Sequence, residues 1–179
     1  TIDLAKSGFK EDGFYFLLWG WLVTIASASD WYMAVVMQEE RHSIAWLIMV
    51  LVGIPLSFIR QWRVEKREST KNIVNQWYGL VWLGYGISMI LTIPLSVRGG
   101  MSPVPFILVL TGFATYMSGI LLKFKPLLIG AAVFWAGALW TMFLSNSDHL
   151  LIQSASSVLG YLIPGYLLNS QSKKHVPGA

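Results

Sequence analysis

The sequence consists of six long apolar segments separated by short polar connections. The segments are residues 14–37, 44–59, 77–97, 103–122, 126–144 and 149–168. A helix needs roughly 20 mostly apolar residues to cross about 30 Å of hydrocarbon. The second segment is shorter, but Arg60 can extend to the lipid headgroups and Trp62 can lie among them, which completes the span. The sequence therefore predicts an all-α integral membrane protein, a compact bundle of six transmembrane helices.

Composition supports a protein that is dissolved in lipid. Hydrophobic residues make up 55% of the 179 residues and charged residues only 12%, whereas a soluble domain carries about 25% charged residues. This excludes an ordinary cytosolic enzyme and a disordered chain. Because the chain has no Cys, disulfides, thiolate zinc sites and iron–sulfur clusters are excluded as well.

The short connections leave no room for a soluble domain. Only residues 60–76 form a connection that is long enough to hold further structure. We therefore expect one transmembrane domain over residues 14–168, a cytoplasmic N-terminal segment at residues 1–13 and a cytoplasmic tail at residues 169–179.

The distribution of positive charge predicts the orientation. Of the 13 Lys and Arg residues, all but Arg41 and Arg98 lie on one side of the predicted bundle. The residues on that side are Lys6, Lys10, Arg60, Arg63, Lys66, Arg67, Lys71, Lys123, Lys125, Lys173 and Lys174. By the positive-inside rule, both termini face the cytoplasm, and we expect a multi-pass protein of the cell (inner) membrane.

Asp30 is the most informative polar residue. It lies about 24 Å along the first helix at the standard rise, in the outer third of the bilayer. A carboxylate costs about 2.5 to 3.5 kcal/mol at mid-membrane and less near an interface. Two interpretations stay open. Either Asp30 binds a proton or cation, with Trp31, Tyr32 and Trp19 supplying π-faces, or the first helix ends early and Asp30 to Tyr32 form an interfacial collar.

Helix three combines aromatic residues with glycines. Gly79, Gly84 and Gly86 alternate with Trp82 and Tyr85, a pattern that indicates tight packing or, less often, the wall of a pocket. The predicted ligand-binding residues are therefore Asp30, Trp31, Tyr32, Trp19, Trp82 and Tyr85.

The predicted outer loops hold a second polar group. Its members are Glu39, Glu40, His42, Arg98, Asp148 and His149. Such residues can form a metal site or a pH-sensing cluster, but their spacing matches no ligand motif, and ordinary solvated loops are the favoured interpretation. We expect no metal and no cofactor.

Signatures of catalysis are missing from the sequence. It has no Gly-x-Ser-x-Gly, no phosphate-binding loop that ends in Lys-Ser or Lys-Thr, and no His beyond the first residue of an apolar segment to activate a Ser. We therefore expect that the protein is not an enzyme.

A basic stripe follows helix two. Arg60, Arg63, Arg67 and Lys71 are spaced by three, four and four residues, so they share one face if the helix continues into the cytoplasm. Such a stripe binds anionic lipid headgroups at about 1 kcal/mol per basic residue. The lipid bilayer is thus an expected partner, a protein partner or homo-oligomer is possible, and nucleic acid is not expected.

Small residues at four-residue spacing predict where helices approach one another, since close packing drives helix association in lipid. These residues are Gly20, Thr24 and Ala28; Thr111, Thr115 and Gly119; Ala132 and Ala136; Ser156 and Gly160.

Two functions from different classes fit these features. The first is small-solute binding or transport through a site among the helices near Asp30, since a purely structural subunit has no need of an intramembrane carboxylate. The alternative is a non-catalytic accessory, assembly or regulatory subunit of a larger membrane complex. In size and helix number the chain resembles the substrate-binding membrane components of vitamin uptake transporters, a similarity that no shared motif supports.

Overall fold

The computed structural model describes residues 13–39, 42–65 and 73–174, which form helices and contain no strand. The α-helices are α1 (Phe14–Trp31), α2 (Ile44–Glu65), α3 (Ile73–Arg98), α4 (Val104–Leu121), α5 (Lys125–Trp140), α6 (His149–Ser157) and α7 (Ile163–Lys174). Two π-helical segments extend them: Tyr32–Val36 continues α1, and Val158–Leu162 joins α6 to α7. A 3₁₀ turn, Thr141–Phe143, follows α5. The all-helical class is confirmed.

Five helices within these described ranges are long and apolar enough to cross a membrane by length and composition. They are Ile44–Arg63, Gln76–Arg98, Val104–Leu121, Lys125–Phe143 and His149–Ser170. This agrees with a multi-pass membrane protein. The first helix, which the sequence analysis counted as a sixth span, is not among the five. Ser27, Ser29 and Asp30 in its last turns lower its mean hydropathy.

Helix α1 lies between α2 and the α6–α7 segment and packs against both. It runs antiparallel to α6–α7, because Gly13 approaches Gly165 at one end and Trp31 bonds to Asp148 at the other. It also runs antiparallel to α2, since Tyr15 bonds to Gln61 near one end of the pair. The start of α1 and the end of α7 therefore lie at the same end of the bundle.

Glycines allow the closest helix contacts. A methyl group on Gly130 of α5 would lie 2.5 Å from the carbonyl oxygen of Gly160, and one on Gly20 of α1 would lie 2.7 Å from Leu162 Cδ2. The backbones of α5 and α1 thus lie directly against the π-helical segment between α6 and α7. Such close packing is expected in lipid, where no hydrophobic driving force acts between helices.

The predicted small-residue contacts are confirmed in part. Thr111, Thr115, Gly119, Ser156 and Gly160 are buried, as the spacing predicted. The prediction for α5 is wrong, because Ala132 and Ala136 are exposed and the buried face carries Gly130, Ala131, Phe134 and Ala138. Lipid-facing and partner-facing sides of α5 are both apolar, so periodicity alone does not separate them.

Helices α2 and α3 lie at the edges of the bundle. Only 6% of the spanning window of each is buried, against 44% for α4. A methyl group added at Gly79, Gly84 or Gly86 would meet nothing within 4 Å. Packing against the described chain therefore does not explain these three glycines.

Candidate functional site

Asp30 is buried, with 4% of its surface exposed. The α-helix continues to Trp31 and then as a π-helical segment to Val36, so the helix does not end early and Asp30 is not part of a collar beyond it. One carboxylate oxygen, Oδ1, contacts Nδ1 of His42. The other, Oδ2, accepts a hydrogen bond from Nε1 of Trp46 at 2.6 Å. Both carboxylate oxygens thus have a partner, one from the loop before α2 and one from the first turn of α2.

The neighbouring residue Trp31 connects α1 to the loop before α6. Its Nε1 donates to Oδ1 of Asp148 at 3.4 Å, and Oδ2 of Asp148 accepts a bond from Ser145 at 2.7 Å. Two consecutive residues of α1 therefore hold the start of α2 and the loop before α6. We call Asp30, His42 and Trp46 the outer clamp, after the predicted outer loops.

The described members of the predicted outer polar group do not gather into one cluster. Glu39 and Arg98 are exposed, and Glu40 lies outside the described residues. His149 is buried, with its Nε2 2.9 Å from the carbonyl oxygen of Thr141. Among the residues the structure covers, no three His, Cys, Asp or Glu side chains lie close enough together to hold a metal ion.

Two aromatic residues predicted to accompany Asp30 lie elsewhere. Trp19 faces α2, where its Nε1 donates to Ser57 Oγ at 3.2 Å and its ring covers Gly53. Tyr32 is about half exposed at the start of the π-helical segment. Neither adds a π-face beside the Asp30 carboxylate.

The other predicted aromatic residues meet inside the bundle. Trp82 lies 5.3 Å from Tyr85 and 6.5 Å from Tyr161, measured between ring centroids. The Tyr85 hydroxyl is hydrogen-bonded to Oγ1 of Thr111 at 3.0 Å, and the Tyr161 hydroxyl lies near those of Thr111 and Thr115. We call Trp82, Tyr85, Thr111, Thr115 and Tyr161 the aromatic–hydroxyl cluster.

Two polar atoms of this cluster have no hydrogen-bond partner in the part of the chain that the structure describes. They are Nε1 of Trp82 and the hydroxyl of Tyr161. Phe16 of α1 and Phe134 of α5 pack against Tyr161 at 5.8 and 4.8 Å, so apolar rings enclose these atoms. Since a buried polar group without a partner costs about 1 to 3 kcal/mol, these two atoms are the strongest candidates in the cluster for contacts with a polar molecule.

The outer clamp and the cluster lie at different depths. Phe16, which contacts both Trp82 and Tyr161, precedes Asp30 by about 21 Å along α1 at the standard rise. The predicted ligand-binding residues are thus divided between two places. The structure brings Trp82 together with Tyr85, and Asp30 together with His42.

Sequence reasoning missed Trp46, Thr111, Thr115 and Tyr161 as site residues. Trp46 could have been predicted, because the short loop after α1 places the first turn of α2 opposite the last turn of α1. Tyr161 could not have been predicted, because the direction of its side chain depends on the π-helical segment that contains it. Such segments are frequent at functional sites.

The C-terminal end of α2 carries the described part of the basic stripe. The helix continues to Glu65, past the predicted end at residue 59. The Arg60 guanidinium lies 5.2 Å from the centre of the Phe14 ring, and Arg63 is exposed. An open groove of about 460 Å³ beside them is lined by Phe58, Ile59, Gln61 and Trp62. Arg67 and Lys71 lie outside the described residues.

Comparison with known proteins adds no family to these observations. No protein-family model, no curated protein and no solved structure matches the chain.

Proposed function

We propose that the protein crosses the cell (inner) membrane six times, with both termini in the cytoplasm, and binds a small polar solute within the bundle for uptake or transport. The sixth span is α1. From Phe14 to Val36 its α and π segments extend about 34 Å, enough to cover about 30 Å of hydrocarbon. Its antiparallel pairing with α6–α7 over the whole length supports the same crossing.

The proposed binding site is the aromatic–hydroxyl cluster. The observation that carries the proposal is the pair of enclosed, unpartnered polar atoms, Trp82 Nε1 and the Tyr161 hydroxyl. An indole N–H can only donate and a phenol can donate or accept, so the solute must offer at least one hydrogen-bond acceptor. The ring faces of Trp82 and Tyr85 favour a flat or cationic part beside that acceptor. The proposal therefore moves the site from the Asp30 carboxylate, whose oxygens already have partners, to the inner cluster.

A thermal-shift screen of small polar solutes on the detergent-purified protein tests this function. Tyr161→Phe removes the hydroxyl and keeps the ring, and Trp82→Phe removes Nε1 by replacing the indole with a smaller phenyl ring. Tyr161→Phe should keep nearly wild-type stability, because its hydroxyl has no hydrogen-bond partner of normal geometry among the described residues, whereas Trp82→Phe should lose some stability through the smaller ring. Both variants should lose the stabilisation by solute. Tyr85→Phe is the matched control, since its hydroxyl bonds to Thr111; it should be less stable without solute. Solutes that stabilise Tyr161→Phe and the wild type equally would contradict the site.

The alternative is a non-catalytic accessory, assembly or regulatory subunit of a larger membrane complex. The observation that favours it is the open glycine surface of α3 at Gly79, Gly84 and Gly86, because glycines in membrane helices commonly mark helix contacts. Native mass spectrometry after extraction in mild detergent discriminates. A co-purifying protein or a stable oligomer supports the alternative, and a monomer without a protein partner contradicts it.

A further inference from the structure

The last membrane segment has a polar residue at every fourth position. His149, Gln153 and Ser157 follow one another along α6, and Tyr161 lies four residues further on in the π-helical segment. Their exposed fractions are 6%, 3%, 1% and 4%. Buried polar side chains in a membrane helix are costly unless they are hydrogen-bonded. A row of four therefore requires partners.

The middle of this row faces the interior of the bundle. On one side of it, Ser154 donates a hydrogen bond to the carbonyl oxygen of Thr24 in α1. On the other side, Ser156 lies against Gly137 of α5. At about 100° per residue, positions 153 and 157 lie between these two directions. Gln153 and Ser157 thus point between α1 and α5, not toward lipid.

Each member of the row has a buried polar atom without a partner among the described residues. These atoms are His149 Nδ1, Gln153 Oε1, Ser157 Oγ and the Tyr161 hydroxyl. His149 Nε2 lies 2.9 Å from the Thr141 carbonyl and must donate to it, so in a neutral ring Nδ1 is an acceptor. Two acceptors followed by two hydroxyls are groups that water can bridge, because a water molecule donates twice and accepts twice.

The spacing of the row suits single bridging waters. Four residues of helix rise about 6 Å, and a water that bonds to two groups separates them by about 5.6 Å, twice an O···O distance of about 2.8 Å. One water between each pair of neighbours would form a continuous chain of about 18 Å. The chain would begin beside the loop that holds Asp148 and Ser145, where Ser145 is exposed, and would end at the aromatic–hydroxyl cluster.

We propose that a file of internal waters runs along α6 from His149 past Gln153 and Ser157 to Tyr161, and connects the aromatic–hydroxyl cluster to the aqueous phase at the Asp148 loop. The file gives water and protons a route to the centre of the bundle. It rests on the proposed function only for the role of its inner end, since the four residues and their unpartnered atoms are independent of any solute.

The natural absence of Cys allows a direct test with single thiols and silver ion, Ag⁺, a cation small enough to follow water. Ser157→Cys is placed in the file. Ser156→Cys is the matched control, because its side chain is equally buried but packs against Gly137. Each variant is reconstituted in lipid nanodiscs, exposed to Ag⁺ in chloride-free buffer, denatured in SDS, and labelled with a maleimide to count the remaining free thiols.

We expect Ag⁺ to block the thiol of Ser157→Cys at least tenfold faster than the thiol of Ser156→Cys. Adding Gln153→Leu to Ser157→Cys should slow the blocking at position 157 several-fold, because an apolar side chain of similar size interrupts the file. A thiol introduced by Ser147→Cys in the outer loop should react rapidly with or without Gln153→Leu. Equal rates at positions 156 and 157 would overturn the proposal, whichever solute the cluster binds. So would an unchanged rate at position 157 when Gln153→Leu is present.

Discussion

The replacement Trp46→Phe tests the outer clamp. It replaces the indole with a smaller phenyl ring and so removes the Nε1 donor that lies 2.6 Å from Asp30 Oδ2. A hydrogen bond to a charged group contributes about 1.5 to 3 kcal/mol to stability. Neutral hydrogen bonds between membrane helices average about 0.6 kcal/mol. The matched control is Trp19→Phe, which removes a neutral bond to Ser57 on the same pair of helices.

We expect the lost hydrogen bond to lower the free energy of unfolding by about 2 kcal/mol in Trp46→Phe and by about 0.6 kcal/mol in Trp19→Phe, in addition to the cost of the smaller ring that the two variants share. The measurement is reversible unfolding by SDS in mixed micelles, followed by Trp fluorescence, or by circular dichroism if the Trp signal changes. Equal costs for the two variants would refute the reasoning. That result would mean that water supplies the second partner of Asp30 as well as Trp46 does.

Two further predictions follow from close packing and from charge. Gly130→Ala should destabilise the protein by about 1 to 3 kcal/mol, because its methyl group would meet the Gly160 carbonyl oxygen. The control Gly79→Ala should be neutral or stabilise the protein by up to about 1 kcal/mol. Unfolding by SDS measures both free energies. Arg63→Gln should weaken binding of phosphatidylglycerol about fivefold, the equivalent of about 1 kcal/mol per basic residue. Arg98→Gln, at the other end of the bundle, should leave this binding unchanged. Titration of the lipid into the purified protein, read by native mass spectrometry, measures both affinities.

The positions of the helices could be predicted from the sequence because lipid leaves the backbone few choices. Every N–H and C=O must be bonded within the membrane, so a long apolar segment becomes a helix. The predicted segments coincide with α1, α3, α4 and α5 to within a few residues. The rotation of each helix about its axis could not be predicted. Ala132 and Ala136 were predicted to form a contact face of α5, but both are exposed.

Single residues of the clamp and of the cluster were predictable where the sequence itself marks them, as an isolated carboxylate does at Asp30 and as the aromatic–glycine pattern of α3 does at Trp82 and Tyr85. Asp30 was identified because an intramembrane carboxylate requires partners, and the structure supplies them from His42 and Trp46. The aromatic–hydroxyl cluster depends on two helices, α3 and α4, and on a π-helical segment that is distant from them in sequence. Local pattern gives no information about such a meeting, so Tyr161 was missed although its neighbour Trp82 was identified.

The number of membrane crossings is the central claim, and the location of the two chain ends tests it most directly. Reporter tags whose activity depends on the compartment, fused separately to the N-terminus and the C-terminus, measure each location in cells. Six crossings predict that both tags report the cytoplasm. Tags on opposite sides would mean that α1 does not cross, and would contradict the six-span bundle.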